Sequence, residues 1–273
     1  MKAAPFACAL LLVSPAQLWL PDQVSTPKSE VRITFSPDGK RMLWGAIGWS
    51  NGVGGWDIYE SERSTSGWSA PRAVSFYSAS NDFVRRERRI EIVGGGFGKD
   101  DIYFAPFEAR TGHYGAAKNL GASINSAGDE WAPVVSADGQ RLMFASDGHG
   151  GRGKHDLFIA HRRGTSWSDI ENLAELNTPD EDFDATFLHD GVSIVYTSGK
   201  FESDDVALYF AAFRDGHFAP RERLPAAVNS QKPGAWTLGP SISADEPGVL
   251  YFTSEQEHGR GRADIYRIEY QVR

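Results

Sequence analysis

The 273-residue chain predicts an all-β fold built from repeated four-stranded units, and three recurring signals predict it. The first is Ser-x-Asp-Gly followed by an apolar run. It appears as "FSPDGKRMLW" from Phe35 and "VSADGQRLMF" from Val135, with the pair again at Asp190-Gly191 and a relic at Asp245-Glu246. The second is Asp followed by apolar and aromatic residues. Asp57, Asp101, Asp156 and Asp264 open such triplets and "ALY" at Ala207 fills the remaining place, giving five copies at steps of 44, 55, 51 and 57 residues. The third is an aromatic after each of the first four triplets: Trp68, Tyr114, Trp167 and Phe218.

Each unit reads as four short strands. The first is the alternating stretch before the turn, such as Ala132 to Ser136. Asp-Gly favours positive φ, so Asp38, Asp138 and Asp190 mark hairpins. The second strand is "RLMFAS", Arg141 to Ser146, and a glycine-rich loop follows it. Asp57, Asp101, Asp156 and Asp264 close these loops, their carboxylates accepting loop N–H groups. The third strand runs from Asp156 to Arg162, and the fourth begins near Trp167. Units of ~40–50 residues with four strands are β-propeller blades, which bury their faces against one another.

Five blades are expected, at about 24–75, 76–123, 124–175, 176–227 and 228–273, within one domain spanning 17–273; six blades is the alternative. The second copy carries "RRERR", Arg85 to Arg89, where its turn should be. The last copy lacks its aromatic strand. Leu18 to Val24 is expected to supply it, with Trp19 in the role of Trp167.

Residues 1–16 have the layout of a secretory signal peptide: Lys2, an apolar stretch from Ala3 to Val13, then small residues ending at Ala16. The run is too short for a stable membrane anchor. Cys8 is the only cysteine, so a chain processed there has no disulfide and no thiol chemistry. A net charge of -8 disfavours nucleic acid as a partner and a polybasic hold on anionic lipid.

The densest acidic stretch is "TPDEDFDATF", with Asp180, Glu181, Asp182 and Asp184. Clustered carboxylates suit Ca²⁺ binding or acid/base work. Equivalent acids recur at Glu30, Asp82 and Asp129-Glu130, and recurrence argues for a structural role on a solvated rim. Glu30, Asp82, Asp129, Glu130, Asp182 and Asp184 are the candidate rim or channel binding residues. No catalytic residue, cofactor or metal ligand set is expected. His-x-x-x-His, His-Glu-x-x-His and Gly-x-Ser-x-Gly are missing from the sequence.

The combined pattern "SEVRITFSPDGKRMLW … DIY … GW" resembles the WD-like β-propeller repeat of the TolB type, from about Val24 to Tyr270. Propellers of that type usually have six blades, but five units fill this length. The resemblance implies an exported bacterial protein, periplasmic or secreted, that binds an envelope protein or peptide as a scaffold. The alternative is a glycan-active hydrolase, which needs non-equivalent carboxylates ~5–10 Å apart in the central channel.

Overall fold

The computed structural model describes residues 10–49, 56–74, 92–93, 97–98, 100–108, 110–203 and 205–273. Cys8, Asp82 and Arg85 to Arg89 lie outside the described residues. Four antiparallel sheets follow one another along the chain, each named here by its first residue. The Ser29 sheet joins Ser29–Phe35, Arg41–Ile47, Trp56–Ser64 and Arg72–Ala73. The Glu130 sheet joins Glu130–Val135, Arg141–Ser146, Asp156–Arg163 and Ser166–Asn172. The Glu181 sheet joins Glu181–Phe187, Ile194–Lys200, Asp205–Ala211 and Glu222–Arg223. The Thr237 sheet joins Thr237–Ser241, Val249–Ser254 and Asp264–Val272 to two short N-terminal strands. Between the first two sheets lie short ladders, Ile92–Val93 with Asp100–Asp101 and Tyr103–Phe104 with Lys118–Asn119.

Alternation along each strand sends side chains to two different interfaces. Leu142 and Phe144 pack with Ile102, Ile124 and Phe158 on one face of the Glu130 sheet. Met143 and Ala145 face the other way and meet Phe183, Ile194 and Tyr196 of the Glu181 sheet. The next interface holds Val195, Leu208, Leu250 and Phe252. Met42, Trp44 and Tyr59 then meet Tyr251 and Ile265, so the last sheet packs on the first. The apolar runs are continuous because both faces of the second and third strands are covered.

The seam between last and first sheets repeats the seam between the Glu130 and Glu181 sheets. Arg262 N–H donates to Lys28 C=O at 3.1 Å, as Lys154 N–H does to Asp180 C=O at 3.2 Å. Glu30 N–H donates to Ala263 C=O at 2.9 Å, as Asp182 N–H does to His155 C=O at 2.9 Å. Glycine lets the strands approach this closely. A Cβ on Gly261 would stand 2.6 Å from Thr26 C=O, and one on Gly153 would stand 2.5 Å from Thr178 C=O. The first strands touch in succession from the Glu130 sheet through the Glu181 and Thr237 sheets to the Ser29 sheet. The protein is an all-β propeller.

The recurring acids lie in their turns and loops as follows. Ser36 and Ser136 hydroxyls donate to Asp38 and Asp138 Oδ1 at 2.5 Å, while Gly39 and Gly139 take φ of 65° and 69°. Asp190 Oδ1 accepts the Val192 and Ser193 N–H groups. Asp101 accepts from Phe97 and Gly98, Asp156 from Arg152 and Gly153, and Asp264 from Arg260 and Gly261. Asp57 is buried at the same register position.

The outer strand of the Thr237 sheet does come from the N-terminus, but by a different register from the expected one. Leu10–Leu12 and Gln17–Leu18 both pair with Asp264–Val272. Leu12 lies opposite Tyr270, the position Trp167 takes opposite Arg162, each six residues past its loop-closing Asp. Trp19 instead packs on the other face, against the Ser29 sheet, with its ring centroid 5.2 Å from that of Tyr251. The expectation rested on aromatic identity, whereas a leucine suffices at that position.

Candidate functional site

Four of the proposed rim acids, Glu30, Glu130, Asp182 and Asp184, are buried rather than solvated. Glu30, Glu130 and Asp182 are each 0% exposed, at or next to the start of a first strand. Each is gripped by a hydroxyl residue four positions earlier. Thr26 donates its N–H to Glu30 at 3.0 Å and its hydroxyl at 2.6 Å. Ser126 donates both groups to Glu130, and Thr178 both to Asp182. Trp49 Nε1–H adds a bond to Glu30 at 2.8 Å, and the Ser146 hydroxyl adds one to Glu130 at 2.8 Å. Burial pushes the Glu30 and Asp182 carboxyls above their ordinary values. In the Thr237 sheet, Thr237 takes this place and its hydroxyl accepts the Ser230 N–H. These acids staple the chain as it enters the Ser29, Glu130 and Glu181 sheets.

Asp184 sits elsewhere, at a bulge that recurs in every first strand. Arg32, Ala132, Asp184 and Gly239 all adopt left-handed φ, of 52°, 54°, 46° and 62°. The ladder slips at each of these points. Arg32 Nε lies 3.1 Å from Asp184 Oδ1, although these residues belong to non-adjacent sheets. The Arg32 side chain lies across Gly239, where a Cβ would meet Arg32 Cγ at 2.8 Å. The ring is therefore crossed at its centre by an ion pair, with the Asp184 side chain 3% exposed.

Asp129, beside Glu130, is half-buried, and its Oδ1 accepts the Asp100 N–H at 3.0 Å. Asp129, Glu130, Asp182 and Asp184 are thus close in sequence pattern but serve three different contacts.

A cleft of about 650 Å³ opens beside the Ser29 sheet, lined among others by Gln23, Pro27, Lys28, Trp49, Trp68 and Pro71. The turn after Trp19 forms one wall. Gln23 Nε2 ties it to the other, donating to Trp68 C=O at 3.2 Å and Ser69 C=O at 2.7 Å. Trp49 is fixed by its bond to Glu30 and by Tyr59, whose ring centroid lies 4.4 Å away. The cleft sets indole and proline faces beside the Asp22 carboxylate, the Thr26 hydroxyl, the Gln23 amide and the Lys28 ammonium. Sequence reading missed this cleft, since Trp68 reads as a repeat aromatic and Trp49 belongs to no repeat signal.

No family model matches the chain, and no curated protein matches it. Solved structures do resemble it. A protein assigned as TolB from Agrobacterium tumefaciens shares 17% identity at a TM-score of 0.37, over 89% of this chain and 59% of that one. A thermostable family-43 glycoside hydrolase shares 12% identity at a TM-score of 0.49, over 92% of this chain and 91% of that one. The α-L-arabinofuranosidase Arb93A from Fusarium graminearum shares 10% identity at a TM-score of 0.44, over 96% and 98%. The likeness is one of fold. This chain spans 59% of the length of the TolB protein. No helix among the described residues is long and apolar enough to cross a membrane.

Proposed function

We propose that the protein is a five-bladed, TolB-like propeller that works in the periplasm or outside the cell as a binding module for a peptide segment of an envelope protein. The observation that carries this reading is where the recurring acids go. Glu30, Glu130 and Asp182 are spent on the chain's own donors, and Asp184 on Arg32. A retaining or inverting glycosidase needs two carboxyl groups facing one bond, about 5–9.5 Å apart. What supports five blades is the pair of short ladders between the Ser29 and Glu130 sheets, on the stretch the repeat spacing gives to a second copy. Arg41 also reaches across that boundary, its guanidinium 3.2 Å from the Phe107 ring centroid, as Arg141 reaches Phe187 in the next sheet at 4.7 Å.

The cleft is the surface that supports peptide recognition. The test is affinity capture from an envelope extract by the wild type and by a Lys28→Glu/Trp68→Ala variant. A defined protein held by the wild type and released by the variant is the expected result. Turnover of a glycan panel with no differential capture would replace this reading with the hydrolase.

A further inference from the structure

We propose that Asp129, Asp147 and His155 form a site for one first-row divalent cation of the zinc class, with Glu181 of the neighbouring sheet positioning the histidine. Each of the three offers a ligand atom, and these atoms lie within 4.8 Å of one another. They arrive from three separate loops: the approach to the first strand of the Glu130 sheet, the end of its second strand, and the residue before its third.

The histidine carries the argument. His155 is 6% exposed, and its Nδ1 lies 2.7 Å from Glu181 Oε2. A carboxylate at Nδ1 places the proton there and leaves a lone pair on Nε2. Nε2 is buried and has no hydrogen-bond partner among the described residues. Leaving a buried acceptor unsatisfied costs free energy, so the position calls for a ligand. The Trp131 ring stacks on the imidazole, centroids 3.6 Å apart and planes at 20°, which holds the ring plane. With Nδ1 committed to Glu181, Nε2 is the nitrogen left to serve Asp129 and Asp147.

The carboxylates are drawn together by the backbone. Asp129 N–H donates to Asp147 Oδ1 at 2.7 Å. A carboxylate has about four lone-pair sites, so accepting a hydrogen bond does not stop either acid from ligating. Two carboxylates this close repel, and a cation between them removes the repulsion. Ligand atoms around tetrahedral zinc stand about 3.4 Å apart, given bonds of ~2.0–2.1 Å. Asp147 is exposed, so the remaining contraction falls on a side chain that is free to move. Imidazole suits zinc and its neighbours, whereas Ca²⁺ and Mg²⁺ take oxygen ligands. Three protein ligands leave a position for water or a ligand's own donor.

The set does not recur. Glu130 pairs with Ser146 as Glu30 does with Ala46, Asp182 with Ser198 and Thr237 with Ser254. The position of Asp129 is therefore held elsewhere by Ser29, Glu181 and Trp236. That of Asp147 is held by Ile47, Gly199 and Glu255, and that of His155 by Trp56, Val206 and Ala263. Of the four sheets, the Glu130 sheet alone combines an imidazole with two carboxylates at these places. The acids that fold the chain repeat, and these do not.

The full untagged chain, titrated with ZnCl₂ by calorimetry and with CoCl₂ by visible absorption, tests this. One saturable site per chain and tetrahedral Co²⁺ bands are expected. Asp147→Asn and His155→Gln should each weaken binding at least about tenfold, and Glu181→Gln by about 10–100-fold. Asp138→Asn, in a distant turn, should leave it unchanged. Asp147 is exposed, so its variant keeps the test valid if the His155 variant does not fold. No saturable Zn²⁺ binding, binding indifferent to Asp147→Asn, or saturable Ca²⁺ binding without Zn²⁺ would each overturn the proposal.

Discussion

Gly139 and Gly153 hold glycine for different reasons, and the difference is measurable. Gly139 has φ of 69° and nothing within 4 Å of an added Cβ, so Gly139→Ala meets only backbone strain, about 1 kcal/mol. At Gly153 the added carbon runs into the carbonyls of Thr178 and Asp180 across the seam. Gly153→Ala should lower the urea midpoint clearly more than Gly139→Ala, and equal losses would argue against the close seam. The stapling acids make a second prediction. Burial raises Asp182 above its ordinary 3.8 and Glu30 above 4.5. A raised folded value means the native state binds the proton more tightly. That stability is complete below the unfolded value and is lost as pH rises through the folded one. The stability difference between the wild type and Asp182→Asn should therefore fall as the pH rises from the ordinary 3.8 through the higher folded value. A difference that stays constant, in urea melts across that window, would contradict the burial argument.

At the scale of the strand, the N-terminal segment decides how the last sheet is finished. Removing residues 1–16 deletes the Leu10–Leu12 ladder but keeps Gln17–Leu18 and the Trp19 N–H bond to Ile265 C=O at 2.8 Å. Removing residues 1–22 takes both ladders and Trp19, which is 8% exposed. The first truncation should melt modestly lower than the full chain, and the second lower by many degrees. Trp19→Ala alone should cost about 3–5 kcal/mol by cavity formation. Calorimetry on the full chain and these three variants checks this. The strand order was legible because the Asp-Gly turns and loop-closing acids are local signals with fixed backbone geometry. The register of the outer strand was not, since only its partner strand sets it. Trp19 was assigned by its ring, yet its neighbours place it on the opposite face.

For the whole ring, the centre matters most. Arg32 crosses it to reach Asp184. Arg32→Met should destabilise by about 1–3 kcal/mol, the lower range because the arginine side chain is 36% exposed. The double variant Arg32→Met/Asp184→Leu should recover part of that loss, since neither charge is then left buried. A double variant no more stable than the single one would show that the pair is not the coupling. The central pair could not be read from sequence, because Arg32 and Asp184 share a repeat position and look like a mismatch there. The cluster at His155 was hidden for a similar reason: its members come from three loops, and metal motifs are sought along one.

Closure by the N-terminal strands also sets an order of events. Gln17 pairs with Arg267, so this ladder joins residues from opposite ends of the sequence. Closing so long a loop is entropically slow relative to a hairpin. The early strands stay without this partner until the final strand is in place. In pulse-labelled refolding, the amides of Trp19 and Leu18 should gain protection after those of Met143 and Phe144.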